Sequence, residues 1–312
     1  MQDALYGGIN AAALTPMRED LSPDLDRMAA HCRWLLANGC NGLGVLGTTG
    51  EANSFGLHER KAILEGLVAR GIPAAAMMPG TGCAALTDSV ELTRHAAAQG
   101  CRGVLVLPPF YYKGPSDDGL FAYFSELVNR TGGAVKIYLY HFPQQSAVPF
   151  SLALIERLLK AFPSVIKGVK DSSGDYANMK AMIDAFAKDG FEVYSGSDEF
   201  VQRILADGGA GCITAASNIN ARFGAVVYAK RTGPEADAAQ AVLNASRKAA
   251  TSVPLIPGLR EILARSTGDA GWRTIRPPHL PLSREQADAV WAAQQAAGVL
   301  PLPGLAPAKA AE

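Results

Sequence analysis

The amino-acid sequence predicts an α/β fold, namely a (β/α)8 TIM barrel with a C-terminal helical extension. Three observations support this prediction. Short apolar runs alternate with longer amphipathic stretches from near the start of the chain to about residue 232. Distinctive polar and aromatic side chains follow the ends of several of these runs. The length of 312 residues suits one barrel, which commonly takes about 250 residues, and a modest extension.

Eight segments rich in β-branched or small apolar residues predict the strands. They lie at 8–14, 42–46, 74–78, 103–107, 135–140, 165–170, 192–195 and 211–214. Amphipathic patterns predict the helices between them, at 24–37, 57–69, 86–98, 120–129, 152–161 and 178–187. Before the first of these helices, Ser22 is a candidate N-cap and Pro23 a candidate first helical residue.

The distinctive side chains decide between two α/β folds. They gather at 47–51, 108–112, 140–143, 170–174 and 196–199, at or just after predicted strand ends. A closed barrel brings the carboxyl ends of all its strands to one mouth. A doubly wound open sheet would spread the same segments along an edge. The pattern therefore favours a barrel formed by residues 1–232.

Residues 233–312 have a different character. Ala-rich segments with helical patterns at 235–252, 256–265 and 284–296 are separated by prolines. Ser283 and Gln286 have the spacing of a capping box at the start of the last segment. We predict helices that pack on the barrel as part of the same domain, rather than a second domain.

Composition and charge exclude several classes of protein. Twenty-nine Lys+Arg balance twenty-nine Asp+Glu, and no long basic run offers a surface for nucleic acid. No apolar stretch approaches the roughly 18 residues of a membrane span. The N-terminus lacks the pattern of a secretion signal, and the five cysteines are scattered without a C-x-x-C pair. We expect a cytoplasmic protein without a nucleic-acid or membrane partner.

The sequence indicates neither a cofactor nor a metal. Residues 42–47 match G-x-G-x-x-G, but the glycines lie inside a predicted strand instead of opening a helix, which the dinucleotide motif requires. The five histidines are isolated along the chain, and Asp198 with Glu199 forms the only acidic pair near the predicted mouth. Metal-dependent aldol chemistry would need clustered ligands.

Two lysines occur in the sixth predicted strand. Strand period two places Ile166, Gly168 and Lys170 on one face and Lys167 on the other. Gly168 would leave open space beside Lys170, whereas Lys167 would point outward with its stem against a helix. An amine that attacks a ketone must be neutral, and apolar walls favour the neutral form. Lys170 is therefore a candidate nucleophile, although a strand-end lysine is often only solvated.

Other candidates lie at the ends of the second and fifth strands. Thr48 and Thr49, in a glycine-flanked turn, offer hydroxyls and backbone N–H groups for a carboxylate; an ordinary polar turn would look the same. The phenol of Tyr140 could transfer a proton, or the ring could simply fill the core. His141 would face the opposite side of its strand, and we expect a structural role.

The segments Gly47-Thr48-Thr49-Gly50-Glu51, Tyr140-His141-Phe142-Pro143 and Gly168-Val169-Lys170 occur in this order at three strand ends. Together they resemble the dihydrodipicolinate synthase / N-acetylneuraminate lyase family of Schiff-base barrel enzymes. The resemblance runs from about residue 7 to residue 218 and weakly to residues 276–278.

The resemblance implies roles for individual residues. It makes Lys170 the Schiff-base lysine, Tyr140 the proton-transfer tyrosine, and Thr48 with Thr49 the pair that holds a 2-oxo acid carboxylate. Thr48 would also belong to the proton relay.

Two further positions follow from the same resemblance. Tyr112 matches a relay tyrosine that reaches a neighbouring subunit's site, which implies a homo-oligomer, a dimer or a tetramer. Ile213 matches a position whose backbone faces the substrate.

The chain departs from dihydrodipicolinate synthases after the fifth strand. Those enzymes have an Arg two residues after the motif's proline, and here that position is Gln145. Ser172, Gly196, Asp198 and Glu199 instead resemble the sugar-acid branch, where such residues bind substrate hydroxyls. His141 stands where the family usually has Asn.

The leading hypothesis is a lyase that cleaves or forms a 2-keto-3-deoxy sugar acid or a related 2-oxo acid, with pyruvate as the enamine-forming partner. A dehydratase or deaminase of such an acid would use the same iminium. The same residues would also suit a 4-hydroxy-tetrahydrodipicolinate synthase, or a non-catalytic barrel that only binds a 2-oxo acid.

Overall fold

The computed structural model describes residues 4–305 and forms a closed parallel barrel surrounded by helices. Seven strands pair in parallel in the order β2-β1-β7-β6-β5-β4-β3 within the described residues. The segment 77–81 closes the ring: Met78 N donates to Leu43 O of β2, and Thr81 N donates to Leu105 O of β3. The prediction of an α/β barrel is confirmed. Two ends of the predicted ranges lie outside the described residues: residues 1–3 of the range 1–232, and residues 306–312 of the range 233–312.

The elements follow one another as alternating strands and helices, with additional helices at the C-terminus. The strands are β1 (Gly8–Ala11), β2 (Gly42–Leu43), β3 (Gly103–Val106), β4 (Lys136–His141), β5 (Ile166–Asp171), β6 (Glu192–Ser195) and β7 (Gly211–Thr214). The helices are α1 (Leu25–Ala37), α2 (Leu57–Ala69), α3 (Leu86–Ala98), α4 (Asp117–Thr131), α5 (Pro143–Ser146), α6 (Leu152–Ala161), α7 (Tyr176–Phe186), α8 (Val201–Ala206), α9 (Ser217–Lys230), α10 (Pro234–Ala250), α11 (Leu255–Thr267) and α12 (Arg284–Ala296).

The third predicted strand, 74–78, is wrong over most of its length. Ala74–Ala76 forms a turn of 3-10 helix, and only single bridges join Met77 to β2 and Gly80 to β3. Three successive alanines lack the β-branched side chains that favour strands and have a high helix propensity. The chain therefore becomes extended later, at 77–81, where it pairs with both neighbours.

Helix starts show where the capping signals were interpreted correctly. Ser283 and Gln286 form the predicted capping box at the start of α12. The predicted N-cap Ser22 is wrong: Asp24 caps α1 by accepting from Arg27 N. The hydroxyl of Ser22 donates to Asp20 instead. Pro23 precedes the helix in an antiparallel bridge to Met17.

A β-bulge in β5 sets which residues enter the barrel. Ile137 pairs with Ile166 but Tyr138 pairs with Gly168, so Lys167 is the extra residue. Beyond the bulge Lys170 pairs with Tyr140 and enters the barrel. The predicted grouping of Ile166 with Lys170 on one face is wrong, because Ile166 packs in the large cluster between strands and helices. A bulge changes the strand's alternation by one residue.

The core has two layers. A large cluster between strands and helices includes residues of the C-terminal helices, such as Leu243 of α10 and Leu259 of α11. A small cluster fills the barrel interior and consists of Tyr6, Ala12, Met78, Leu105, Tyr138, Tyr140, Tyr194, Ala210 and Ile213. Among residues 4–305, no helix combines the length and the hydrophobicity needed to cross a membrane.

Candidate active site

The centre of the candidate site is a lysine–tyrosine pair at the carboxyl ends of β4 and β5. Strand pairing places Tyr140 opposite Lys170, and the two side chains are only 3% and 4% exposed. Lys170 Nζ lies 3.3 Å from Tyr140 Oη and 4.3 Å from the centroid of the same ring. Within the described residues, no carboxylate forms an ion pair with this amine.

The turn after β2 brings a hydroxyl to this pair. Thr48 Oγ1 lies 3.3 Å from Tyr140 Oη, so hydroxyl, phenol and amine form a continuous chain. The turn is tight, because Leu46 and Glu51 both have positive φ values, 55° and 56°. A Cβ on Gly80 would lie 2.2 Å from Leu46 O, so only glycine allows this approach. Thr49 is buried at the wall of the same cavity.

A buried ion pair fixes the turn from the C-terminal side. Arg260 of α11 donates to Glu51 Oε1 from Nη2 at 2.5 Å and from Nε at 3.1 Å. The same Nη2 donates to Thr15 O at 2.6 Å. Both charged side chains are almost fully buried, at 1% and 0% exposure, so each needs the other. Sequence reasoning missed Arg260, since nothing in its helical segment distinguishes it from the other arginines of the C-terminal region.

The opposite wall is polar and follows β5 and β6. Ser172, Gly196 and Glu199 all line the cavity. A Cβ on Gly196 would lie 2.8 Å from Ser172 Cα, so glycine is required for the two loops to approach. Glu199 Oε2 accepts a hydrogen bond from the Ser197 hydroxyl at 3.0 Å.

Asp198 is not brought to the cavity, and its predicted role in binding substrate is corrected. Its side chain turns away from the mouth, is 1% exposed and accepts from Asn220 Nδ2 at 2.7 Å. Burial raises the pKa of the Asp198 carboxyl, and the charge of Arg247 and the Asn220 amide partly oppose that rise. The short 3-10 turn at Asp198–Phe200 exposes Glu199 and buries its neighbour.

Three other predicted residues occupy different surroundings. Gln145, on the short helix α5, lies exposed at the rim and lines the cavity. Ile213 packs in the cluster that fills the barrel interior and does not line the cavity. Tyr112 is 76% exposed, next to the equally exposed Tyr111, and it does not line the cavity of its own chain.

His141 lies on the outer side of β4. Its Nδ1 accepts a hydrogen bond from Phe150 N, and its ring packs against the Phe150 ring. Burial lowers the pKa of the imidazole, with Asp171 opposing this shift. The neutral ring thus fixes the loop that follows α5, away from Lys170.

The cavity is about 510 Å3 in volume, within the roughly 300–1,000 Å3 of small-molecule sites. Barrel residues form its floor. The C-terminal region supplies lining residues that sequence reasoning missed: Arg247, Pro254, Leu255, Ile256, Pro257 and His279. Their segments have no strand-end signal that could have indicated a site. Among residues 4–305, no cluster of His, Cys, Asp or Glu side chains could hold a metal ion.

Comparisons with known proteins agree on one family. The model of the dihydrodipicolinate synthetase family matches residues 5–297. An uncharacterized DapA-like lyase of Chloroflexus aurantiacus is 38% identical over 291 residues, 92% of this chain and 96% of the relative. Its name specifies no substrate.

Two solved structures extend the similarity to the fold. Dihydrodipicolinate synthase of Agrobacterium tumefaciens is 29% identical with a TM-score of 0.86, covering 94% of this chain and 99% of that one. A prophage protein of the dihydrodipicolinic acid synthase family from E. coli K12, in complex with pyruvate, is 27% identical with a TM-score of 0.86. The alignment covers 95% of this chain and 100% of that one.

Proposed function

The chain belongs to the dihydrodipicolinate synthetase family, and we propose that it is a Schiff-base lyase for a 2-keto-3-deoxy sugar acid or a related 2-oxo acid. The observation that carries the proposal is the buried Lys170 amine, whose hydrogen-bond partner is the phenol of Tyr140. A lysine amine at the floor of a cavity that can admit a ketone is placed to be the nucleophile that imine formation requires.

The first steps attach the substrate to the enzyme. Lys170 Nζ attacks the C2 carbonyl, and the resulting carbinolamine loses water to give an iminium. The hydroxyls and backbone N–H groups of Thr48 and Thr49 bind the C1 carboxylate and fix the orientation of C2. Tyr140, hydrogen-bonded to the amine and to Thr48, transfers the protons that the carbinolamine gains and loses.

The iminium then accepts the electrons of the broken bond. Tyr140 takes the proton of the C4 hydroxyl, the C3–C4 bond breaks, and its electron pair moves into the iminium to form an enamine. The carbon chain beyond C3 leaves as an aldehyde. Protonation of the enamine at C3 and hydrolysis by water then release pyruvate and restore the free amine.

The polar wall supports a hydroxylated substrate. Ser172, Ser197 and Glu199 present hydroxyl and carboxylate groups to the cavity, where they can bind hydroxyls of the departing portion. Gln145, in place of an arginine, argues against the lysine-pathway synthase.

The proposal includes a homo-oligomer, a dimer or a tetramer, in the cytoplasm. The exposure of Tyr111 and Tyr112, at 72% and 76%, supports an aromatic loop that is covered by another subunit. Tyr112 would then complete the relay in the neighbouring site.

Reduction with sodium borohydride in the presence of pyruvate tests the mechanism. We expect a covalent mass increase on Lys170 and none on Lys167, as located by peptide mass spectrometry. Lys170→Ala should abolish labelling, whereas Lys167→Ala on the same strand should leave it intact. An unlabelled Lys170 in the unsubstituted protein would reject the proposal.

Product analysis separates the two iminium reactions. Pyruvate together with an aldehyde identifies a lyase, whereas a deoxy-oxo acid that retains all its carbons identifies a dehydratase. Turnover of aspartate semialdehyde comparable to that of sugar acids would instead identify the synthase.

A further inference from the structure

One cation of the cavity wall makes no ion pair or side-chain hydrogen bond among residues 4–305, although its charge acts on the buried carboxylate of Asp198. Arg247 lies half-buried near the end of α10 and lines the cavity. The five arginines that follow it along the chain each have a carboxylate within 4.0 Å. Among residues 4–305, the guanidinium of Arg247 makes neither an ion pair with a carboxylate nor a hydrogen bond. The side chain of His279, which lines the same cavity, also makes none among these residues.

An unpaired guanidinium in a cleft matches one kind of ligand especially well. Its planar fork of N–H donors fits a carboxylate in a bidentate arrangement, and such charge-assisted hydrogen bonds are among the strongest in proteins. A hydroxyl group offers neither the charge nor the two parallel acceptors. The ligand group beside Arg247 is therefore expected to be an anion.

The position of Arg247 shows which end of a substrate it would meet. Its helix, α10, packs on the loop after β6, where Gln240 Nε2 donates to the backbone carbonyls of Asp198 and Glu199. The Thr48–Thr49 turn follows β2, and β1 and β7 separate β2 from β6 in the barrel. The cradle for the C1 carboxylate and the guanidinium thus belong to different sides of the mouth. Lys170 on β5 lies at the floor of the cavity that both of them line.

We propose that Arg247 selects a 2-oxo acid with a second carboxylate at its far end, a 2-oxo dicarboxylate; this inference rests on the proposed Schiff-base function. Leu255 and Ile256 also line the cavity, where they can pack on the carbon chain.

Gln145 therefore does not imply that the cavity lacks a positive charge for a second anion. The cavity does contain a full positive charge for a second anion, but a C-terminal helix supplies it rather than the motif after β4. Cleavage of C3–C4 in such a substrate releases pyruvate and an aldehyde that itself carries a carboxylate. Loss of the C4 hydroxyl as water would leave the second carboxylate on the product.

Matched pairs of stable 2-oxo acids test the inference without requiring turnover. Borohydride trapping on Lys170 is measured against the concentration of 2-oxopentanoate and 2-oxoglutarate, and of 2-oxohexanoate and 2-oxoadipate. Each pair differs in its terminal group. We expect the diacid of at least one pair to reach half-maximal trapping at about a 10–100-fold lower concentration, the worth of a hydrogen bond between charged groups.

Two variants assign the preference to its residue. Arg247→Gln should remove the preference for the diacid, measured as the ratio of the two half-maximal concentrations within each pair, while Arg247→Lys should retain part of it. Lys248→Gln is the matched control, because it removes one positive charge from the next, exposed position of the same helix and should change nothing.

Each outcome has a definite meaning. If pyruvate is trapped on Lys170 but neither diacid is preferred by the unsubstituted protein, the inference about Arg247 is overturned and the proposed function stands. It is also overturned if Arg247→Gln keeps the preference. If pyruvate itself is not trapped, the proposed function fails first.

Discussion

The two ends of the barrel interior hold similar side chains with different partners. At the carboxyl end, Lys170 of β5 meets Tyr140 of β4 at the floor of a cavity. At the amino end, Lys167 of the same β5 and Tyr138 of the same β4 both contact Glu192 of β6. Each end thus has one lysine from β5 and one tyrosine from β4. The two lysines are three residues apart, and the two tyrosines are two residues apart.

The lower group, the Glu192 network, has every acceptor occupied. Glu192 is 1% exposed and accepts from Tyr138 Oη at 2.9 Å and Tyr194 Oη at 2.6 Å. Leu5 N donates to its other oxygen at 2.9 Å, and Lys167 Nζ lies 3.5 Å away from that oxygen. Lys167 Nζ also donates to Gly190 O at 2.9 Å.

The difference supports the proposed reactivity of the lysine–tyrosine pair at the carboxyl end. In the Glu192 network a carboxylate fixes the phenols as donors and neutralises the cation, which stabilises the fold. At the carboxyl end the amine has a phenol as its partner and a cavity in front of it, so a ketone can approach.

The largest expected effect is on the rate of a reaction step, and it should occur when Tyr140 is replaced but not when Tyr138 is replaced. Tyr140→Phe should slow the exchange of the pyruvate methyl hydrogens with D2O, followed by NMR, by about 10²–10⁴-fold, the usual worth of a general acid–base group. Its thermal midpoint should stay unchanged. Tyr138→Phe should exchange at the unsubstituted rate but unfold at lower temperature. Equal loss of exchange in both variants would contradict the distinction.

The second largest effect concerns the amino end, where alkaline pH should lower the free energy of unfolding. Burial raises the pKa of Tyr6, Tyr138 and Tyr194, and Glu192 adds to the rise for the last two. Above pH 10 the unfolded chain loses these protons while the folded protein keeps them, so the free energy of unfolding falls as pH rises. Below pH 10 the effect is absent. The loss should be roughly 1.4 kcal/mol per tyrosine per pH unit, about 4 kcal/mol at pH 11.

Urea unfolding at pH 9, 10 and 11 measures this loss. Tyr138→Phe should show a shallower decline between pH 10 and 11, because one of the three phenols is gone. A midpoint that does not change between these pH values would disprove the assignment.

The smallest expected effect concerns charge in the Glu192 network. Glu192→Gln keeps the shape but replaces hydrogen bonds to a carboxylate by weaker ones, so the free energy of unfolding at pH 7 should fall by about 1.5–3 kcal/mol. Glu199→Gln at the carboxyl end is the control and should change it by less than about 0.5 kcal/mol, as is usual at exposed positions. Equal effects of both substitutions in urea unfolding would refute the contrast.

Several parts of the site could be predicted from sequence because they depend on local order. Period two along a strand places Tyr138 and Tyr140 on one face of β4, and a parallel barrel brings strand ends together. Sequence alone could not separate Asp198 from Glu199, since a single 3-10 turn decides which of two adjacent carboxylates faces the cavity.

Gly168 shows the same limit on a smaller scale. We expected open space beside it, but a Cβ there would lie 2.3 Å from Glu192 O and 2.9 Å from the Tyr138 ring. The glycine allows β5 and β6 to approach closely at the amino end. The space for substrate lies above Lys170 and is formed by other elements.

The sequence by itself determined the barrel, the lysine and tyrosine at the ends of neighbouring strands, and the threonine turn, because each follows from short-range periodicity and strand direction. Only the tertiary structure decided the bulge at Lys167, the Glu192 network, the Glu51–Arg260 pair and the presence of Arg247 at the mouth. These depend on contacts between residues far apart in the chain, such as the 209 positions between Glu51 and Arg260, and no local pattern encodes them.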